Sequence, residues 1–479
     1  MANQVKLITK KSDNISDWYN DVIKAAKLAD HGPARGTMII RPYGYAIWEA
    51  MQRNLDIKIK DLGAQNVYFP SLIPYSFLQK EKTHVKGFAP EVAVVTHGGG
   101  EELTEPLVVR PTSETIMYDA FSRWISSYRD LPLAINQWCN VVRWEKRPYL
   151  FLRTTEFLWQ EGHTAHASSE EAQKMVDSAL SMYVNFYQED LALFGYAGRK
   201  SETEKFAGAS ASFSYEILMP DGKIVQSCTS HNLGQNFAKA FNVQFQNQSG
   251  QKEYVHQTSW GFSTRSIGPL IAVHGDDNGL VLPPQIAPLQ VAIIPILSKS
   301  ADITKIKELN QKAFEILEGH NIKVRINDSD QSPGWKFSQY DLEGVPLRIE
   351  IGGSETEKQT LRVVRRDTKE GIDIPLKEAG EKVEKILETI QNDLFEKSKR
   401  FTIANTREAR TYSDFKEIMN TTKGFISAFW CEDPHCEEMI KQETKASTRV
   451  LPLGEIESSG ACIYCEKPAK YRWLFGQSY

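Results

Sequence analysis

The stretch Arg143-Trp144-Glu145-Lys146-Arg147-Pro148-Tyr149-Leu150-Phe151-Leu152-Arg153-Thr154-Thr155-Glu156-Phe157 reads as two strands, Asn140 to Trp144 and Phe151 to Arg153, joined by a polar turn through Arg147 and Pro148. It presents arginines and an aromatic ring together. A fixed guanidinium neutralises a phosphate with paired hydrogen bonds, while a ring and a second arginine can sandwich adenine. The plain alternative is a surface ladder of ion pairs.

Outward from this hairpin, a short strand is expected at Leu107 to Arg110, with helices at Ser113 to Ser127 and Ser169 to Phe194. The pattern suits an antiparallel sheet flanked by helices, an α+β class, and not a βαβ repeat. Upstream, apolar spacing predicts a helix from Ile15 to Leu28 and a long one from Tyr45 to Leu62. Gly63 then acts as a stop, and a strand follows from Asn66 to Phe69. Downstream, the proline-rich stretch Pro283 to Pro288 is a linker. After it come a buried strand, Gln290 to Ile296, and helices at Ala301 to His320 and Glu381 to Lys397. The expected units are residues 1–285, 286–400 and 401–479.

With 479 residues the chain is too long for one core, and its 41% hydrophobic and 25% charged content is that of an ordinary globular protein. A net charge of -4 gives no global pull on polyanions, so any nucleic-acid contact must come from local basic surfaces. Met1 to Lys11 has no apolar run behind its lysines, and the longest apolar stretch, near Val291 to Leu297, is broken by Pro295. The expectation is a cytoplasmic protein with neither signal peptide nor membrane span.

Four of the six cysteines fall near the end: Cys431 and Cys436, then Cys462 and Cys465. Two such pairs can deliver four thiolates to a tetrahedral Zn²⁺, and a full thiolate set makes the site structural; free or redox thiols are the alternative. Cys139 and Cys228 read as small core residues.

The hairpin resembles motif 2 of the class II aminoacyl-tRNA synthetases. Gly36 to Pro74, a glycine, a long helix and a proline-ended strand, resembles motif 1, which implies a homodimer. Gly261-Phe262-Ser263-Thr264-Arg265-Ser266-Ile267-Gly268 resembles motif 3, whose arginine meets the ATP γ-phosphate. Within the class, three stretches resemble the prolyl-tRNA synthetase family. They are Arg110-Pro111-Thr112-Ser113-Glu114-Thr115, Phe157-Leu158-Trp159-Gln160-Glu161-Gly162-His163 and Cys228-Thr229-Ser230-His231-Asn232-Leu233-Gly234-Gln235-Asn236.

The resemblance implies substrates and roles. Thr112 and Glu114 would hold the proline amine, with Glu114, Arg143 and Arg265 as the catalytic set. Phe88, Trp159, Glu161 and His163 would surround the ring, and Thr229, His231 and Ser263 would close the pocket. Arg143 would face both the proline carboxylate and the ATP α-phosphate. Glu145, Arg153, Phe157, Gln226 and Thr229 would hold the rest of the nucleotide, and Arg265 the γ-phosphate. Magnesium is expected on the phosphates, with Glu216 as candidate ligand. Trp159 and Phe88 as core aromatics, His163 as a satisfied core histidine and Glu216 on a solvated face are the plain alternatives.

The segment Val345 to Ile351 alternates, with Arg348 and Glu350 opposite Leu347, Ile349 and Ile351. The family places an anticodon-binding domain here, which makes Glu343, Arg348 and Glu350 candidates for reading guanines of tRNA(Pro), against a cross-strand ion pair as the alternative. Arg362, Arg365 and Arg366 could meet phosphates. The sequence after the strand, Gly352-Gly353-Ser354-Glu355, departs from the family's arginine-containing turn. The aromatic ending, through Tyr479, is expected to dock. The interval from Phe157 to Gly261 leaves no room for an inserted editing domain, as in the eukaryote-like and archaeal-like form. Competing readings are a synthetase-like paralogue that has lost chemistry and a class II enzyme for another amino acid.

Overall fold

The computed structural model describes residues 8–84, 92–297 and 302–479. Near the start, Asn14 caps the helix Ile15–Ala25 by accepting from the amides of Ser16 and Asp17. That helix buries Trp18, Tyr19, Val22 and Ile23 on one face. The long helix Pro42–Asp61 opens on a proline and buries Ile47, Met51, Leu55 and Ile59, one residue per turn. Its Trp48 stacks on Phe262 with ring centroids 5.7 Å apart. The motif 1 helix is thereby anchored to the back of the motif 3 strand.

These helices pack on one side of an antiparallel sheet. Its central strands, in spatial order, are Tyr196–Arg199, Ala211–Leu218, Ile224–Gly234, His256–Ser263, Glu156–His166 and Leu133–Val142. The helix Ser169–Asn185 covers the same side, passing into a wider turn at Phe186–Asp190 where one continuous helix was expected. Gly162 lies where a Cβ would come within 2.3 Å of the Trp260 ring, so the flat indole can lie against the sheet only at a glycine.

Three local expectations are corrected. Phe151 to Arg153 is not a strand: Phe151 has φ 63°, and Tyr149 bridges Arg153 in a tight turn, so residues 143–155 form an ordered loop between the strands ending at Val142 and starting at Glu156. The strand expected at Asn66 to Phe69 is reduced to Gln65–Asn66, pairing with Ile135 and Asn136. Glu216 lies on no solvated face but is fully buried.

Residues after the proline-rich linker form a five-stranded sheet in the order Val324–Ile326, Val291–Pro295, Leu347–Ile351, Thr360–Arg365, Gly371–Pro375. The first three strands are parallel and the rest antiparallel. The helices Ile303–Gly319 and Ala379–Ala404 contribute Ile306, Leu309, Val383 and Leu387 to its core. Buried Arg366 fastens this unit to the catalytic one, meeting both oxygens of Asp276 at 2.7 Å.

The C-terminal strands Phe425–Trp430, Tyr471–Gln477 and Ala446–Pro452 do not make a separate sheet. Leu451 and Pro452 pair with Arg199 and Gly198, extending the catalytic sheet to eleven strands. No helix among the described residues is long and apolar enough to cross a membrane.

Candidate active site

Alternation along strands builds one wall of a cavity of about 460 Å³. On Glu156–His166, positions two apart send Trp159, Glu161 and His163 into it; on His256–Ser263 it is lined by Ser259, Trp260 and the backbone of Gly261. The strand Ile224–Gly234 carries a bulge at Ser227, where Tyr215 faces Cys228 but Glu216 faces Gln226. The extra residue shifts the alternation by one, so Gln226 shares a face with Thr229 and His231. Thr112 and Glu114, before and at the start of the helix Glu114–Trp124, form the opposite lip, where the Thr112 hydroxyl donates to Glu114.

Buried Glu161 is fully partnered. It accepts from Ser113 Oγ at 2.5 Å, the Ser113 amide at 3.2 Å, Gln137 Nε2 at 3.0 Å and His163 Nε2 at 3.0 Å. His163 Nδ1 in turn contacts Tyr118 Oη at 3.1 Å. Burial alone would raise the Glu161 pKa and lower that of His163. Their mutual attraction and these bonds reverse both, so the carboxylate sits below its ordinary range and the imidazole above its own. His231 behaves oppositely: burial and the positive charges of His163, Lys200 and Arg143 push it down to about 3, leaving a neutral ring whose Nδ1 lies 2.7 Å from Ser212 Oγ.

Arg143 stands at the junction of this cavity and a smaller cleft. Its guanidinium lies 5.1 Å from the Trp159 ring centroid and 5.6 Å from that of Phe157, and Nε donates to the Pro111 carbonyl at 2.9 Å. Over a third of its surface is open, and it opens into the cleft. Desolvation by the surrounding walls of cavity and cleft lowers its pKa, against the pull of Glu114 and Glu161. The same cleft holds Glu145, Arg153, Phe157, Ser263 and Arg265. Arg265 Nε donates to the Leu152 carbonyl at 3.0 Å, and burial together with repulsion from Arg143 and Arg153 pulls its pKa down to about 10. Arg153 is held by Glu145 at 3.1 Å. For Arg143 and Arg265 the described residues supply no carboxylate partner. Two cations kept close against their mutual repulsion make a site for a polyanion.

Thr112, Glu114, Arg143, Trp159, Glu161, His163, Gln226, Thr229 and His231 therefore line one cavity, and Arg143, Glu145, Arg153, Phe157, Ser263 and Arg265 the adjoining cleft. Phe88 lies outside the described residues. Glu216 is elsewhere engaged: Oε1 accepts from Lys200 and Ser214, Oε2 from Arg449, and although burial opposes ionisation these cations hold its pKa down to about 2. The Mg²⁺ role expected of it is not compatible with these partners. Sequence reasoning missed Lys200, Glu204 and Phe206, which line the cavity from the segment between the strands Tyr196–Arg199 and Ala211–Leu218. No periodicity or motif marks them. Tyr479 docks beside Arg265, its hydroxyl donating to Asp221 at 2.8 Å.

In the second unit Arg348 pairs with Glu350 at 2.7 Å and lies 4.3 Å from the Phe337 ring, with both charged groups partly exposed. Glu343 accepts from Gln339 at 2.5 Å, and burial raises its pKa. Arg362 and Arg365 meet Asp373 and Asp367, and Arg366 meets Asp276.

The sulfurs of Cys431, Cys436, Cys462 and Cys465 lie within 4.8 Å of one another, and Cys431 is 3.7 Å from both Cys436 and Cys465. Four thiolates at about 2.3 Å from a tetrahedral centre stand about 3.8 Å apart, so the donor set fits a closed Zn²⁺ site.

Three family profiles match the chain: "tRNA synthetase class II core domain (G, H, P, S and T)" over residues 96–274, "Anticodon binding domain" over 290–386 and "Prolyl-tRNA synthetase, C-terminal" over 412–479. Among similar sequences, the proline–tRNA ligase of Ruminiclostridium cellulolyticum is 50% identical over 483 residues, covering 100% of both chains. That of Clostridium novyi is 49% identical, covering 99% of this chain and 98% of the relative. A crystal structure of prolyl-tRNA synthetase from Cryptosporidium parvum complexed with halofuginone and AMPPNP superposes with a TM-score of 0.95 at 44% identity, covering 99% of this chain and 100% of that one. Another from the same organism, complexed with L-proline and AMP, gives 0.94 at 43% identity, covering 100% and 98%. The matches follow the order of the units already described and run the length of the chain, so the protein belongs to the prolyl-tRNA synthetase family of class II aminoacyl-tRNA synthetases.

Proposed function

We propose that the chain activates L-proline with ATP to form prolyl-adenylate and transfers the prolyl group to the 3′ end of tRNA(Pro). The observation that carries this is the placement of Arg143 at the junction between the Glu114 cavity and the Arg265 cleft. In activation the proline carboxylate attacks the α-phosphorus and pyrophosphate leaves. Two anions must approach, so the task is charge neutralisation and alignment, with no protein nucleophile. Arg143 bridges carboxylate and α-phosphate, and Arg265 draws the leaving phosphates along the cleft. Glu114 and Thr112 receive the secondary ammonium. Trp159 forms an apolar side for the ring, while the Glu161–His163 pair, already satisfied, keeps that wall rigid.

Similarity to the chains complexed with AMPPNP and with L-proline and AMP supports this assignment. Magnesium is expected with the triphosphate, and Glu216 is not proposed as its ligand. Structural Zn²⁺ would be held by the four cysteines. Arg348 and Glu350 would exchange each other for the edge of an anticodon guanine, beside Glu343. A homodimer through the motif 1 region accords with its exposed Ile39, Tyr45, Ile57, Tyr68 and Leu72.

Residues 167–255, between the motif 2 and motif 3 strands, are taken up by the helix Ser169–Asn185, three strands of the catalytic sheet, the short helix Asn236–Phe241 and a two-stranded hairpin, Gln244–Gln246 with Lys252–Tyr254, which supports an enzyme without a cis-editing domain. Alanine lacks only apolar contact relative to proline, a deficit of about 1–3 kcal/mol per methylene-sized loss. The test is amino-acid-dependent pyrophosphate exchange: proline should drive it and alanine should support it weakly. Exchange with a different amino acid, or none, would refute the assignment, and rapid hydrolysis of alanyl-tRNA(Pro) by the purified chain would refute the absence of editing.

A further inference from the structure

The C-terminal unit reaches into the wall of the larger cavity by two routes. Across the seam between the strands Ala446–Pro452 and Tyr196–Arg199, Arg449 donates to Glu216 Oε2 through Nε at 3.0 Å and Nη2 at 2.6 Å. Glu216 Oε1 accepts from Lys200 Nζ at 3.1 Å, and Lys200 also donates to the Arg449 carbonyl at 3.0 Å. All three side chains are buried, and Lys200 lines the cavity. Removing one member of such a cluster leaves a buried charge unpartnered, so its geometry is tightly fixed.

The second route starts at Glu437, next in sequence to Cys436. Its carboxylate is buried and accepts from the hydroxyls of Ser201, at 3.2 Å, Thr203 and Thr448. Ser201 and Thr203 directly follow Lys200 in the segment that also sends Glu204 and Phe206 to the cavity, where the Phe206 ring lies 4.9 Å from His231. One wall of the cavity is thus tied on both sides to side chains more than 200 residues away in sequence.

We propose that Arg449 and Glu437 are positioning residues for amino-acid binding, acting through Glu216–Lys200 and through Ser201 and Thr203 to hold this wall. The inference rests on reading the larger cavity as the proline site. A direct role of Arg449 on the nucleotide would instead move the ATP KM, since Arg449 also lines, with Arg153 and Arg265, a further hollow that shares those two arginines with the cleft.

The full chain is tested as Glu437→Ala, Arg449→Met and Arg449→Lys, reading the proline and ATP KM in pyrophosphate exchange, the ATP-free proline Kd by tryptophan fluorescence, bound zinc and Tm. Glu437→Ala and Arg449→Met should raise the proline KM and Kd roughly tenfold, with the ATP KM within about twofold and zinc retained. Arg449→Lys should recover most of the affinity, and with Glu437→Ala it carries the test if Arg449→Met does not fold. Unchanged proline affinity in Glu437→Ala, or an ATP KM rising in step with that for proline, overturns the proposal. Glu114→Gln separates the two readings: if it leaves proline affinity intact, the cavity assignment falls and the coupling with it. If Glu114→Gln weakens proline while Glu437→Ala does not, only the coupling falls.

Discussion

Two arginines of the nucleotide cleft, Arg143 and Arg265, and four of the five-stranded unit share a chemistry and differ in circumstance. Arg348, Arg362, Arg365 and Arg366 each meet a carboxylate, and Arg366 does so with almost no exposure. Arg143 and Arg265 donate instead to backbone carbonyls of Pro111 and Leu152, and they repel one another. An arginine with a carboxylate in place is satisfied by the fold; one held near other cations and bonded, among the described residues, only at Nε leaves its terminal nitrogens for a ligand. The number of basic residues therefore says less about anion binding than whether a partner is built in.

The comparison breaks most visibly at the cleft. Arg143→Ala should lower proline-dependent pyrophosphate exchange by about a thousandfold or more while Tm stays near that of the parent, because an electrostatic contact to reacting phosphate is lost and no internal pair is broken. Near-normal exchange would remove Arg143 from its proposed role.

At Arg366 the expectation inverts. Arg366→Met leaves Asp276 without its partner, and because a third of that side chain is exposed the cost is put at about 2 kcal/mol, below the range for fully buried pairs. Denaturant unfolding should show it. Burial opposes ionisation of Asp276, but Arg366 holds the folded pKa below 3.8. The pair's contribution is accordingly full above pH 3.8 and fades as pH falls through the lower folded value, so the variant should lose that part of the acid sensitivity. An unchanged acid limb would show that Arg366 is not the group holding Asp276 ionised.

The smallest effect belongs to Arg362, whose pair with Asp373 is about half exposed. Arg362→Ala should change stability by under about 1 kcal/mol. A raised KM for tRNA in aminoacylation, with exchange unaltered, would move this arginine from the paired class to the ligand class.

How much of this was legible beforehand depends on the range of the signal. Helix and strand periodicity placed Pro42–Asp61, Ile303–Gly319 and Leu347–Ile351 within a few residues, because each buries a regular face. The loop at 143–155 was misread as carrying a strand, since positive φ at Phe151 leaves no mark in an apolar run. Glu216 was misjudged for a different reason: its two cationic partners come from Lys200 and from Arg449, and neither is visible to a local pattern.

Motif order and residue spacing alone establish the chemistry available here: Thr112, Glu114, Arg143, Trp159, His163 and Arg265 in ordered motifs, and two cysteine pairs at ligand spacing. Local spacing suffices for such features because alternation along a strand fixes which side chains share a face. Folding in three dimensions adds what spacing does not hold: Arg143 joins two cavities, a bulge at Ser227 turns Gln226 toward the same face as Thr229, and the C-terminal strands close onto the catalytic sheet. Those outcomes depend on pairing between segments distant in the chain, where charge and hydrogen-bond satisfaction, and not periodicity, select the partner.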